Sequence, residues 1–485
     1  MGDNLKEKMI GALTWSAVDR IAQQGVQFVV GIILARLLTP DDYSLLGIVM
    51  VFAAIAYTMV EGGLQSAIVR THKLEKKHCD TVFYTNLAIS LLLYMLLYFS
   101  APLIAGFYKE PEITPVARVI FLAVIFNSFY LVPYALFGRD MDYKSQTKVN
   151  FTSTLASGIA GVAMAFAGCG IWALVTQQLG YHFVRMIMFY VVSKWRPGLN
   201  FSWTVLKEYW SFSIHLLSNN IIGVLFNNLY TFLIGKLYPI KQVGFYTQAY
   251  KLSDTVNFTF NAILSTTYNM FAQIHDQPDR VSRILGEISK RIAVVAIPLL
   301  GFLIVSAEPL FQVLFGDKWL PAVPYFQLLC AANLFNASHR VNVHALNALG
   351  ESKITFNIEL VKRILILVSV ALTFRYGINE LLAGFAIACY GGFFASMLYV
   401  KRHLKIKYLA QFSFLYKGIL IAIVCCMAVA GIDLLVPEEE YFLRLLVQTV
   451  SCAGIYIGLA RLLCKDIFFR TLDWAKTAVR KHLHK

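Results

Sequence analysis

The stretch Trp15–Leu38, WSAVDRIAQQGVQFVVGIILARLL, decides the class of fold, because it is long enough to cross a bilayer and yet carries Asp19 and Arg20 near its middle. On a helix of about 3.6 residues per turn, Ser16, Arg20, Gln23 or Gln24, and Gln27 share one stripe, while Val26, Phe28, Val29 and Ile32 to Leu34 point to other sides. A helix starting near Met9 puts Arg20 roughly 16 Å deep at about 1.5 Å per residue, close to the middle of the membrane. An ion at that depth marks a functional position unless it only pairs with a neighbouring helix.

Composition extends this reading to the whole chain. Of 485 residues, 58% are hydrophobic and 15% charged, against about 25% charged for soluble domains, which predicts an all-α polytopic membrane protein. The net charge of +15 does not point to nucleic acid, since the basic residues lie in short loops between apolar runs and form no stripe with interleaved aromatics. Most of the eight cysteines lie within or at the ends of apolar runs without metal-ligand spacing and read as small apolar residues. No cleavable signal is evident at the N-terminus.

Apolar runs near 10–38, 44–69, 81–107, 115–137, 146–168, 170–193, 209–236, 243–271, 292–314, 320–347, 354–375, 379–400, 411–435 and 443–463 predict fourteen transmembrane helices. With the N-terminus inside, the inner segments collect Lys6, Lys8, Arg70, Lys73, Lys76, Lys77, Arg139, Lys194, Arg196, Lys401 and Arg402, whereas Asp41-Asp42 and Glu438 to Glu440 fall outside. That asymmetry places both termini in the cytoplasm.

An internal repeat is visible. LARLLTPDDYSLLG (34–47) parallels LIGKLYPIKQVGFYTQ (233–248) at an offset near 200, and FNSFYLVPYALFG (126–138) parallels FNASHRVNVHALNALG (335–350) at 209 to 212. The expected organisation is two six-helix bundles, 1–200 and 205–402, related by an axis along the membrane normal, with the ligand between them. Helices 13 and 14 (408–464) lie outside the repeat, and a basic amphipathic tail (465–485) suits an anionic inner leaflet.

TVFYTNL (81–87), APLIAGFY (101–108), Arg139-Asp140-Met141-Asp142-Tyr143-Lys144, GCGIWALV (168–175), KWRPGLNFSW (194–203) and LARLLTP (34–40) resemble the Wzx-type polysaccharide flippases of the MOP superfamily, nearest to the colanic-acid and teichuronic-acid exporter branch. The resemblance implies a MATE/MOP-like pair of bundles in the bacterial cytoplasmic (inner) membrane and movement of an undecaprenyl-diphosphate-linked oligosaccharide between leaflets. It further implies a monomer that works beside a polysaccharide polymerase and chain-length partners. Ser44 stands where such sequences usually carry glycine.

A lipid-linked sugar diphosphate requires cations for its phosphates, and the planar fork of arginine suits them best. The expected substrate-binding set is Arg20, Gln24 and Gln27 in the first predicted helix, Asn336, Arg340 and His344 in the tenth, and Lys362 and Arg363 in the eleventh. Asn333, Asn336, Arg340, His344 and Asn347 would form one stripe along 320–347, while Arg340 near a helix end could instead snorkel outward. The seventh helix offers His215, Asn219, Asn220, Asn227 and Asn228, neutral where its repeat partner is charged. For coupling or gating the candidates are Asp19, Glu61, Lys251 and Asp254. Glu61, a lone acid beside Gly62-Gly63, either couples an ion or pairs with Arg20, and Lys251–Asp254 reads equally as a self-satisfied pair. Glu359 is expected to pair with Lys362 or Arg363, leaving one cation spare.

No phosphate loop, Ser/His/Asp set or zinc spacing is present, so neither enzyme activity nor a cofactor or metal is expected. The competing readings are a cation-coupled multidrug exporter, which would want an acid-dominated cavity, and a membrane scaffold for glycan assembly, which needs no polar lumen. The mid-membrane charges, Arg20, Lys251, Arg340, Lys362 and Arg363 against Asp19, Glu61, Asp254 and Glu359, favour an anionic substrate.

Overall fold

The structure is a computed structural model and describes residues 2–433, 437 and 440–464, without the side chains of residues 2–10, 12, 13, 17, 212, 215, 258–263, 265, 266, 269 and 352. The predicted basic tail, Glu438, Glu439 and the His215 side chain therefore lie outside the described residues. Among the described residues the chain is helical, with no strand. It divides into two compact units, Met1–Thr247 and Gln248–Lys485.

The first unit contains α1 (Gly2–Leu37), α2 (Pro40–Glu61), α3 (Leu64–Arg70), α4 (Lys76–Tyr108), α5 (Ile113–Ile120), α6 (Leu122–Arg139), α7 (Tyr143–Phe166), α8 (Ile171–Val192) and α9 (Trp203–Leu237), together with the start of α10 (Lys241–Ala272). Here α1 packs on α7, α7 on α8, α6 against α4 and α8, and α9 along α2. Local chemistry starts these helices. The Thr39 hydroxyl accepts from Asp42 N at 3.3 Å while the Asp42 carboxylate accepts from Thr39 N at 2.8 Å, and Pro40 opens the first turn.

The family-like motifs have structural work of this kind. Asp80, fully buried, accepts from Gly198 N at 3.1 Å and from Asn200 Nδ2 at 3.4 Å, and Thr81 Oγ1 accepts from Ser202 N at 3.0 Å, so the KWRPGLNFSW segment is tied to the first turns of α4. Arg139 donates to the carbonyls of Ile68, Thr71 and His72 and caps the end of α3. Ser44 also finds a role. Its hydroxyl donates to Pro40 O at 2.9 Å and accepts from Gly244 N at 2.8 Å, where a side chain on Gly244 would collide with the Pro40 carbonyl at 2.0 Å.

The second unit continues α10 and adds α11 (Pro278–Val305), α12 (Ala307–Phe315), a short 3-10 segment (Asp317–Ala322), α13 (Val323–Asn333), α14 (Asn336–Ala348), α15 (Ser352–Thr373), α16 (Ile378–Leu404), α17 (Tyr408–Asp433) and α18 (Tyr441–Leu463). α11 packs along α17, α15 along α16, and α14 against α11 and α16. Val341, Ala345, Leu346 and Ile358 are buried in the main apolar cluster of this unit.

Four predicted spans differ from the observed helices, the run 115–137 being divided at Phe121 into α5 and α6. The run 44–69 breaks after Glu61, where Gly62 and Gly63 take φ of +29° and +80°. The run 292–314 begins earlier, at Pro278, and breaks at Ser306. The run 320–347 is two helices, α13 and α14, parted at Leu334 and Phe335, so the expected single stripe from Asn333 to Asn347 is carried on two axes. Among the described residues eight helices are long and apolar enough to cross a membrane, from Pro40–Arg70 to Tyr441–Leu463.

Candidate functional site

In the first unit the polar side chains gather where α2, α6 and α8 meet. Glu61, the last residue of α2, remains accessible, and Asn127 of α6 donates to its Oε1 at 3.5 Å. His182 and Arg185 stand one turn apart on α8. Tyr130 Oη lies 3.0 Å from His182 Nδ1 and accepts from Arg185 Nη1 at 3.3 Å, while the Tyr57 ring stacks on His182 at 4.9 Å. The guanidinium carbon of Arg185 sits 4.6, 5.0, 5.6 and 5.6 Å from the ring centres of Tyr130, Tyr134, Tyr181 and Phe189. Aromatic faces thus surround a cation that has no carboxylate within ion-pair distance among the described residues.

In the first helix Asp19 bonds to a neighbouring helix, its Oδ2 accepting from Asn150 Nδ2 of α7 at 3.1 Å, and Thr147 Oγ1 donates to the Trp15 carbonyl at 3.2 Å. Arg20 and Gln27 are exposed and Gln24 is half-buried. Glu61 is not paired with Arg20; its polar neighbours are Asn127 and, within electrostatic reach, Arg185.

In the second unit Arg340 of α14 lies within electrostatic reach of Asp254 on α10 and Glu359 on α15. Glu359 does not close on Lys362 or Arg363 as expected. Its Oε1 is 3.5 Å from Nε2 of His339, a histidine only 4% exposed. Lys362 and Arg363 are half-buried, the stem of Lys362 lying against Gly392, where an added Cβ would meet its Cγ at 3.0 Å. Lys251 and Asp254, both accessible, form no ion pair with each other although a step of three would allow one. His344 stands 6.2 Å from the Tyr268 ring, Asn336 is half-buried, and Asn333 Nδ2 donates to Ser253 Oγ at 3.3 Å.

Sequence reasoning missed Arg185, His182, Tyr130, Asn150 and His339. The rule applied to 320–347 would have found α8, where Gln178, His182 and Arg185 follow at steps of four and three. His339 sits beside Arg340 and carries no such signal. Among the described residues no group of three metal-ligating side chains comes together.

Half-buried cations set among rings or near carboxylates, in a chain of long apolar helices, are features of a polytopic membrane protein that handles a charged ligand. Residues 33–324 match the family described as polysaccharide biosynthesis protein, and the chain belongs to that family. The resemblance to Wzx-type flippases carried by its motifs is borne out by its relatives. It is 23% identical over 355 residues to the teichuronic acid biosynthesis protein TuaB of Bacillus subtilis, covering 72% of this chain and 73% of that protein. It is 24% identical over 346 residues to the lipopolysaccharide biosynthesis protein WzxC of Escherichia coli, covering 69% of this chain and 68% of that one. In fold it resembles the inward closed structure of the lipid II flippase MurJ, with a TM-score of 0.76 at 12% identity over 93% of this chain and 99% of that chain.

Proposed function

We propose that this chain is a flippase that moves an undecaprenyl-diphosphate-linked oligosaccharide repeat unit from the cytoplasmic to the outer leaflet by alternating access, in surface polysaccharide (O-antigen, capsule or exopolysaccharide) biosynthesis. The observation that carries this reading is the guanidinium of Arg185, held among aromatic rings with no carboxylate in ion-pair range among the described residues. A cation in that state suits an anionic cargo and is a poor wall for the organic cations of a multidrug exporter. The proposed assembly has fourteen spans in the bacterial inner membrane with both termini cytoplasmic, two six-helix bundles over 1–200 and 205–402, and helices 13 and 14 outside them. It acts as a monomer beside a polysaccharide polymerase and chain-length partners, and not as an enzyme. Single-cysteine labelling tests this topology: position Asp41 should react from outside and Lys76 from inside, and the opposite pattern would refute it.

Arg20 in the first unit and Arg340 in the second each contribute to binding the diphosphate, with Gln24, Gln27, Asn336, His344, Lys362 and Arg363 contributing polar surface. Losing one charge-assisted contact of about 1.5–3 kcal/mol weakens binding by roughly tenfold to a hundredfold. Glu61 couples or gates transport, with Asp19, Lys251 and Asp254 supporting, so Glu61→Gln should abolish the pH or cation dependence of flipping and leave binding measurable. The test of function is rescue of polysaccharide export in a flippase-null strain supplied with defined repeat units. Full export by both Arg20→Ala and Arg340→Ala at matched protein levels would eliminate their roles.

A further inference from the structure

We infer that Arg185 is a specificity-determining contact for a phosphate oxygen of the cargo, and that Glu61 is the internal anion that competes with that phosphate for it. The inference rests on the flippase reading above, which the setting of Arg185 supports, and deepens it by naming the group of the cargo that this residue contacts and the side chain that competes for it.

Arg185 lies seven residues before the end of α8 at Val192, or roughly 10 Å at about 1.5 Å per residue, so it is not at the helix terminus. A long basic side chain near a membrane surface ordinarily snorkels to the polar boundary. Arg185 has local partners instead: Tyr130, Tyr134, Tyr181 and Phe189 face the guanidinium carbon at 4.6 to 5.6 Å, and Tyr130 Oη accepts one of its protons at 3.3 Å. Tyr130 is in turn fixed by His182 and by stacking on Phe189 at 5.7 Å. The guanidinium is therefore oriented before any ligand arrives, which spares a bound anion the cost of ordering it.

Its hydrogen bonding is incomplete. A guanidinium has five N–H donors, and among the described residues only the bond to Tyr130 engages them; the buried Nε has no partner. The residue as a whole is partly accessible, so an anion can reach it. Ring faces compensate a charge without occupying its N–H groups, and two parallel N–H···O bonds to a phosphate are the interaction that the free edge of the fork is shaped for.

Glu61 completes the device. It follows Tyr57 by one turn on α2, and the Tyr57 ring stacks at 4.9 Å on His182, one turn from Arg185 on α8; among the described residues its one hydrogen bond is from Asn127 at 3.5 Å, and it ends α2 at the Gly62–Gly63 break. A phosphate at Arg185 and a carboxylate at Glu61 repel each other, so neutralising Glu61 strengthens anion binding only while Arg185 is present.

The test uses the purified full-length chain in detergent, titrated with farnesyl diphosphate, with inorganic pyrophosphate and with neutral farnesol, each variant first checked for its thermal transition. Arg185→Gln should weaken farnesyl diphosphate binding by tenfold or more and leave farnesol unchanged, and Arg185→Lys should restore part of the loss. Glu61→Gln should tighten diphosphate binding by threefold or more, and the double variant Glu61→Gln/Arg185→Gln should lose that gain. Binding of pyrophosphate with the same dependence on Arg185 assigns the contact to the phosphates alone, and a dependence seen only with farnesyl diphosphate assigns it to a lipid-borne headgroup; both support the inference. Wild-type-like binding by Arg185→Gln overturns it while the diphosphate cargo stands. If Arg185→Gln does not fold, an unchanged affinity in Glu61→Gln overturns it. A wild-type chain that binds neither diphosphate overturns the cargo reading as well.

Discussion

The two units surround their half-buried arginines with different groups. Arg185 in the first is surrounded by rings, whereas Arg340 in the second lies within reach of two carboxylates, Asp254 and Glu359, with His339 closing on the latter at 3.5 Å. At the offset of 209 with which the second repeat match begins, Tyr130 falls on His339. Ring faces compensate a charge without occupying its N–H groups, whereas a carboxylate in reach competes with any other anion for them. On the inference above, the first unit offers the negative part of a cargo a cation set among rings, and the second offers one set among carboxylates.

Removing the ring that fixes Arg185 should have the largest effect on stability. Tyr130 is 3% exposed, and Tyr130→Ala should cost about 3 kcal/mol and lower the thermal midpoint of the purified protein most among these variants. A shift within error would mean that the aromatic faces do not hold the charge. Glu359→Ala should cost less, about 1–2 kcal/mol, because its side chain is 44% exposed even though its partner His339 is buried. A loss that exceeds that of Tyr130→Ala would reverse the ranking of the two units. Tyr130→Phe keeps the ring and removes the hydroxyl contacts to His182 and Arg185, for about 1 kcal/mol in the same measurement.

The smallest effect belongs outside the membrane, where Lys77 at 2.9 Å holds the Glu75 carboxyl below its usual range. A depressed carboxyl contributes stability at pH above its unfolded value and loses it as pH falls through the folded one. Because this pair is fully open to water, Lys77→Ala should leave the thermal midpoint unchanged at neutral pH. A measurable drop would mean that surface pairs matter here as much as the buried clusters.

Much of this was legible in the sequence. Runs of apolar residues report helices because hydrocarbon demands them, and Thr39-Pro40-Asp41-Asp42 announced the start of α2 through its capping chemistry. Breaks were harder to see. Gly62-Gly63 was noticed only as a neighbour of Glu61, and Leu334-Phe335 interrupts a helix with residues that favour no break. Individual charges such as Arg20 and Arg340 stood out because ions in apolar runs are rare, but pairing is tertiary: Asn150 reaches Asp19 across 131 residues and His339 reaches Glu359 from another helix. Arg185 was overlooked because its compensation comes from tyrosines, which in an apolar run read as ordinary packing.

The most direct test of the central claim is leaflet transfer. Proteoliposomes holding the purified chain and a fluorescent undecaprenyl-diphosphate-linked oligosaccharide can be probed with a membrane-impermeant glycosidase that cleaves only the outer pool. The account predicts that the wild-type chain makes the inner pool accessible and that Arg185→Gln, folded and incorporated equally, slows this at least tenfold. Transfer no faster than in protein-free liposomes, or equal transfer by Arg185→Gln and wild type, would contradict it.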